Sequence, residues 1–268
     1  MSIYVEILVR APMDALWAHT QIPALHERWD LRFSRIEYLR LTGDGTPQRF
    51  RYATRIGFGL EVSGEGETIG QRAYNGVALL SKRPVEELVC GLTGDEVDEQ
   101  PRYIEASFGE VRVASIYLPN GNPVETDKFT YKLAWMERLI GHTRELMRRE
   151  IPFVLAGDYN ICPTDDDVYD PVAFRDDALC RIEGRSRFRA LLYLGLTDAY
   201  RVFHRETHRY TFWDYQAGRW HRDEGLRIDH LLLSPHAADR VAACEIDKKP
   251  RAKERASDHT PIWCELAV

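Results

Sequence analysis

The sequence predicts a layered α/β sandwich, and three observations carry that prediction. Short strand-like apolar runs stand at both ends of the chain, a long helical stripe separates them, and no internal repeat or low-complexity tract interrupts the series. Strands, then helices, then more strands is an order that suits layering, because each element must bury one apolar face against another. At 268 residues the chain is long enough for one large α/β domain or two smaller ones.

Taken in order, residues 4–10 read as a strand, and Ala11-Pro12-Met13-Asp14 opens a helix with proline in its first turn and an acid near the positive end of its dipole. Residues 51–62 read as a strand interrupted by glycines. The stretch 63–70, polar and rich in glycine, reads as a turn and as the best domain boundary. Residues 76–82 form a short strand, and 103–108 with 111–118 form a hairpin about Gly109. The clearest helix is 127–149, where Phe129, Leu133, Met136, Ile140, Thr143 and Met147 make one core-facing stripe. Residues 151–156 are an apolar run bounded by proline and glycine, a buried strand that ends in Gly157-Asp158-Tyr159-Asn160. A second helix over 187–195 closes on Gly195. Strands at 226–233 and 262–268 complete the series.

Composition excludes several classes. Hydrophobic residues at 44% and charged residues at 29% are ordinary for a soluble globular protein. No apolar stretch approaches the ~18 residues of a membrane span, and the N-terminus lacks the basic-then-apolar order of a secretory signal. Cys90, Cys162, Cys180, Cys244 and Cys264 are odd in number and contain no CxxC pair. They read as cytosolic thiols, not as a disulfide framework or a zinc site, so a cytoplasmic protein without a membrane partner is expected. The net charge of -6 gives no global nucleic-acid signal. Two local basic patches, 181–189 and 248–255, read either as solvated surface or as contacts for a polyanion.

Chemistry concentrates at strand ends. Asp158 and Asn160 stand two apart on an extended backbone, so both point to one side. A carboxylate there can take a proton from water while the amide donates to a phosphate oxygen. Asp229 and Asp258-His259 suit a second task, in which a carboxylate fixes a histidine in its charged form to meet an anionic phosphate. A remaining carboxylate can hold a hard cation such as Mg²⁺. Tyr117, at the end of its strand, can turn a phenol toward the same crevice.

In motif order, Ala73-Tyr74-Asn75-Gly76-Val77-Ala78, Ile116-Tyr117-Leu118-Pro119-Asn120-Gly121, Gly157-Asp158-Tyr159-Asn160, Phe212-Trp213-Asp214-Tyr215, Gly225-Leu226-Arg227-Ile228-Asp229 and Ser257-Asp258-His259-Thr260-Pro261 resemble bacterial exodeoxyribonuclease III enzymes of the endonuclease–exonuclease–phosphatase superfamily. The resemblance covers residues 71–268. It implies a four-layered αββα sandwich, a divalent cation (Mg²⁺ or Mn²⁺), and a monomer cleaving double-stranded DNA at abasic sites and from 3′ ends. Carried over by position, Asp158 activates the attacking water and Asn160 holds the phosphate and that water. His259, oriented by Asp229, bonds a phosphate oxygen, and Tyr117 contacts the phosphate or leaving group. Asp258 lies at the metal, Trp213 lines the pocket for the abasic sugar, and Tyr74 and Asn75 touch the DNA backbone.

The front of the chain departs from that pattern. The resemblance requires a Trp-Asn strand end and a Gln-Glu strand end, the Glu being the principal metal ligand, and neither occurs before Asn75. Glu61, Glu65 and Glu67 are the nearby acids. Residues 1–70 instead resemble the start of an SRPBCC (START-like) ligand-binding domain, through Ala11-Pro12, Trp17, Pro23 and Trp29-Asp30. The expectation is therefore a fusion of two incomplete domains joined near Gly70-Gln71. It should leave apolar faces and strand edges uncovered where the family's first strands would lie. The competing functions are an apolar-ligand carrier, a non-catalytic remnant, and a phosphatase for small phosphoesters.

Overall fold

Alternation along the strands decides which side of each sheet is buried against which layer. The structure, a computed structural model, describes residues 35–39, 48–56, 60–71, 74–253 and 256–267. Four antiparallel strands, β1 (Arg35–Tyr38), β2 (Gln48–Ile56), β3 (Leu60–Gln71) and β4 (Tyr74–Ser81), form one sheet in that order. A six-stranded sheet follows, made of β5 (Glu86–Cys90), β6 (Tyr103–Phe108), β7 (Val111–Tyr117), β8 (Phe153–Asp158), β9 (Thr197–Asp198) and β10 (Asp229–Leu233). Its spatial order is β5-β6-β7-β8-β10-β9. A hairpin of β11 (Val241–Ile246) and β12 (Ile262–Leu266) completes the strands.

On β8, Phe153 and Leu155 face the two long helices, α1 (Asp127–Met147) and α2 (Ile182–Tyr193), through Trp135, Met136, Leu139, Phe188 and Leu191. Val154, between them, faces the opposite side, toward β11, β12 and two short helices, α3 (Ala199–Phe203) and α4 (Pro235–Ala238). Farther along that second side, Ile104 and Ala106 pack on Val77 and Leu79 of β4. The layered α/β sandwich is thus present, with helices, a central sheet and a second layer of strands.

Several expectations shift at this level. Residues 63–70 are not a turn but the body of β3, paired to β2 from Gln48↔Thr68 to Ile56↔Leu60. Glycine there serves close approach, since a Cβ at Gly66 would lie 2.5 Å from the Phe50 ring. The expected join at 70/71 lies within a β3–β4 hairpin that pairs Glu65↔Ser81 through Gln71↔Tyr74. Ile69 of β3 shares one cluster with Val77, Leu79, Val85, Ile104 and Ala106, so the face expected to lie bare is covered there. The stripe on α1 is wider than its apolar pattern, because Lys132, Trp135, Leu139 and Leu146 are also buried, while Leu133 and Met147 are only half-buried. The second helix starts five residues earlier than 187, at Ile182. The strand expected at 4–10, the helix opening at 11–14 and the residues carrying the START-like resemblance lie outside the described residues. Among the described residues no helix is long and apolar enough to cross a membrane.

Candidate active site

Three adjacent strands end side by side at one rim of the six-stranded sheet. The parallel pairing of β7 and β8 sets Tyr117 opposite Asp158, and the antiparallel pairing of β8 and β10 sets Asp229 opposite Asp158. Gly157 makes this approach possible. Its φ is +142°, and a Cβ there would meet the Ile116 carbonyl oxygen at 2.0 Å. The apolar run that precedes Asp158 therefore does two things: it buries the strand and delivers a carboxylate to the crevice.

Asp158 is held on both oxygens. The backbone N–H of Asn160 donates to Oδ1 at 2.8 Å, and Asn160 Nδ2 donates to Oδ2 at 3.1 Å. Asn160 takes a left-handed φ of 47°, a conformation that asparagine tolerates better than most residues. Its other Nδ2 hydrogen goes to the Leu118 carbonyl at 2.8 Å, and its Oδ1 accepts from Asn120 Nδ2 at 2.9 Å. Both amide hydrogens are spent, so Asn160 orients Asp158 and has none left for a phosphate oxygen, contrary to the sequence expectation. Asn120, which also lines the adjoining cleft, retains a second amide hydrogen for that task. Asn120 lies in the Ile116–Gly121 motif that carries the family resemblance, but its Pro-Asn-Gly setting alone reads only as a turn.

The second half of the site comes from the segment before β12. His259 Nδ1 donates to Asp229 Oδ2 at 2.8 Å, and the Phe212 ring stands 5.0 Å from the imidazole. Asp229 is placed by its backbone N–H, which donates to Thr211 Oγ1 at 3.1 Å. Burial and the charge of Asp229 push the Asp158 carboxyl up to about 7. Burial would lower His259, but the Asp229 hydrogen bond and the charges of Asp229, Asp158 and Asp258 outweigh it and raise the imidazole to about 9. At neutral pH the crevice thus pairs a proton-accepting carboxylate with a cationic imidazole, the separation of roles that general-base chemistry needs.

A buried ion network supports the rim from below. Arg227, fully buried just before β10, donates to Asp167 at 2.7 Å and to Asp198 at 2.8 Å. Arg201 adds a second bond to Asp167 at 2.6 Å. Burial and Arg227 lower neighbouring His230 to about 4, and its ring N–H donates to the Ile161 carbonyl at 2.9 Å. His230 is therefore a neutral structural residue, although it follows Asp229 directly.

The remaining candidates are placed unevenly. Tyr117 lines a cleft of about 620 Å³ together with Asn75, Gln100, Arg102, Asn120 and Tyr131. The Arg102 guanidinium lies 4.9 Å from the Tyr117 ring centre, and Gln100 Oε1 accepts from both Arg102 and Asn75. The side chain of Tyr74 lies outside the described ones. Trp213 does not fit its expected place as a pocket wall. It is fully buried, its indole N–H donates to Asp223 at 3.0 Å, and Trp220 closes over it at 4.8 Å. The aromatic ring that reaches the site is its neighbour Phe212. Asp258 is half-buried beside His259, with Ser257 Oγ at 3.4 Å. Glu65 and Glu67 are engaged by Arg51 and Arg49 of β2, and the side chain of Glu61 is outside the described ones.

Known proteins resemble this chain in sequence and in fold. Exodeoxyribonuclease III of Haemophilus influenzae is 32% identical over 209 residues, covering 74% of this chain and 78% of that protein. The structure of the 3′ phosphatase NExo from Neisseria bound to a product DNA hairpin superposes with a TM-score of 0.74 at 39% identity, covering 76% of this chain and 79% of that one. The uncharacterized membrane protein YndG of Bacillus subtilis is 56% identical over 68 residues, a quarter of each chain. The endonuclease/exonuclease/phosphatase family profile matches residues 13–259, and the chain belongs to that family.

Proposed function

We propose that the chain is a divalent-metal-dependent DNA phosphodiesterase acting at abasic sites and 3′ ends. The observation that carries this reading is the register of Tyr117, Asp158 and Asp229 on three adjacent strand ends, with His259 locked to Asp229. The names of the relatives, an exodeoxyribonuclease and a 3′ phosphatase bound to DNA, support DNA as the substrate class. Asp158 takes the proton of a water that attacks the phosphorus, as the bond to the leaving oxygen breaks. His259 and the Asn120 amide donate to the phosphate oxygens as charge develops on them. Tyr117 stands at the leaving-group side of the crevice.

A hard cation fits the donor chemistry. Among the described residues no group of three or more His, Cys, Asp or Glu side chains converges. Mg²⁺ needs only one or two carboxylates, with waters and phosphate completing its shell. Asp258 would supply that carboxylate, and the bound cation would offset phosphate charge.

The chain also reads as composite, joined near Gly70-Gln71. The exodeoxyribonuclease match covers 74% of the chain and the match to YndG 25%, while the family profile spans residues 13–259. The composite reading adds a strand layer and leaves the assignment of the catalytic residues unchanged.

The test is incubation of purified protein with a duplex carrying one abasic site and with a recessed 3′ end, in Mg²⁺ and in EDTA. Mg²⁺-dependent incision or trimming is expected. Its absence on both substrates would sink the reading.

A further inference from the structure

Helix α1 carries one residue that its apolar stripe should exclude. Lys132 is fully buried, and its ammonium donates to the carbonyls of Asn120 at 2.8 Å, Asn160 at 2.7 Å and Ala178 at 3.0 Å. All three of its hydrogens are spent, one on each of three separate segments: the loop after β7, the loop after β8 and the approach to α2. A buried ammonium costs free energy unless it is fully hydrogen-bonded. An apolar side chain at this position would satisfy the stripe without that cost. What the cation gains is a fixed relation between loops. Asn120 and Asn160 are bonded to each other through their side chains, and Asn160 grips both oxygens of Asp158. The lysine stem is itself packed, since a Cβ at Gly121 would fall 2.6 Å from its Cδ.

We propose that Lys132 is a positioning residue for phosphodiester cleavage, tying the Asn120 and Asn160 loops so that their amides hold Asp158 in line with the phosphate. This rests on the phosphodiesterase reading. Charge supports it: burial lowers Lys132 to about 8, with Asp158 and Asp177 opposing that fall, so the ammonium persists at neutral pH.

Two variants and two readouts test it. Lys132→Met removes every donor, while Lys132→Gln keeps amide donors and removes the charge. Single-turnover cleavage of the abasic duplex should slow about 10- to 100-fold in Lys132→Met, the scale of loss from a misplaced reacting group, with KM within about threefold of the parent. Lys132→Gln should fall between the two. Independently of turnover, NMR exchange of the Asn120 and Asn160 side-chain amides should accelerate at least about tenfold as their loops loosen. Unchanged amide exchange in a folded variant would overturn the proposal whether or not the parent cleaves DNA. So would a loss of rate matched by an equal loss of folded protein in thermal melts. If Lys132→Met does not fold, Lys132→Gln decides by the same exchange measurement. A parent that cleaves nothing yet shows the exchange effect would refute the phosphodiesterase reading and leave the tether standing.

Discussion

The two sheets of this molecule are joined by packing but divided in chemistry. At the rim of the six-stranded sheet, Asp158, Asp229 and His259 are each fixed by a specific hydrogen bond, above a buried network of Arg227, Asp167 and Asp198. In the four-stranded sheet, Arg49 and Arg51 of β2 meet Glu67 and Glu65 of β3, and Arg49 also donates to the Val85 carbonyl. That sheet contributes Ile69, Val77 and Leu79 to the shared core, and Asn75 of β4 to the cleft beside Tyr117. A sheet can therefore cover apolar surface and pair strand edges while its described acids Glu37, Glu65 and Glu67 pair with arginines of that same sheet.

The sharpest way to break this division is Asp158→Asn. Loss of the base should reduce cleavage roughly 10³-fold, within the range for a removed general base. Stability should not fall. Burial and Asp229 raise the Asp158 carboxyl, so its charged form is disfavoured in the fold. That cost grows as pH rises from the ordinary carboxylate range toward 7, and a neutral amide avoids it. A clear drop in melting temperature at pH 8 would mean Asp158 is part of the scaffold.

The next largest effect belongs to the other sheet. Ile69→Ala should destabilise the protein by about 2–4 kcal/mol, the usual cost of emptying a buried aliphatic site, while leaving the rate per folded molecule unchanged. Denaturant unfolding followed at Trp135 and by circular dichroism should show one shifted transition. Two transitions, only one of them moved, would mean the sheets are not a single cooperative unit.

Arg49→Ala probes the same boundary more gently. Glu67 is 3% exposed and depends on Arg49 at 2.5 Å, while Arg49 also reaches Val85 across the connection between sheets. Leaving that carboxylate unpaired should cost about 1–3 kcal/mol. Arg51→Ala, whose side chain is 61% exposed and 3.5 Å from Glu65, should change stability by no more than about 0.5 kcal/mol. Equal losses in the two variants would remove the distinction between an anchoring pair and a surface pair.

The same division explains what could be read from sequence. Strand ends at Asp158 and Asp229 were legible because an apolar run bounded by proline and glycine has few other uses, and the acid that follows it must face a crevice. The β3 strand was not legible, because Gly64 and Gly66 carry the same letters as a turn, and only the Ser81 backbone beside Gly64 and the Phe50 ring over Gly66 give them another meaning. Lys132 was invisible because a charged residue within a helical stripe reads as solvent-facing unless three carbonyls are known to converge on it. Trp213 was misplaced because an aromatic cluster looks the same in sequence whether it walls a pocket or packs beneath one.

The pH profile separates the sheets most directly. With Asp158 raised to about 7 and acting in its ionised form, the rate should fall about tenfold for each pH unit below 7, or about 1.4 kcal/mol per unit, and level off above it. His259, raised to about 9, donates only while protonated, so the rate should fall again above about 9, leaving a maximum near pH 8. Asp229→Asn keeps an acceptor for His259 but removes the charge that raises both groups, so the alkaline limb should move toward the ordinary histidine range and the acid limb toward the ordinary carboxylate range. Glu65→Gln should move neither limb, because Glu65 answers to Arg51 within its own sheet. An acid limb that follows Glu65 would mean the four-stranded sheet supplies a carboxylate to the crevice after all, and the division between the sheets would fail at the step where it matters most.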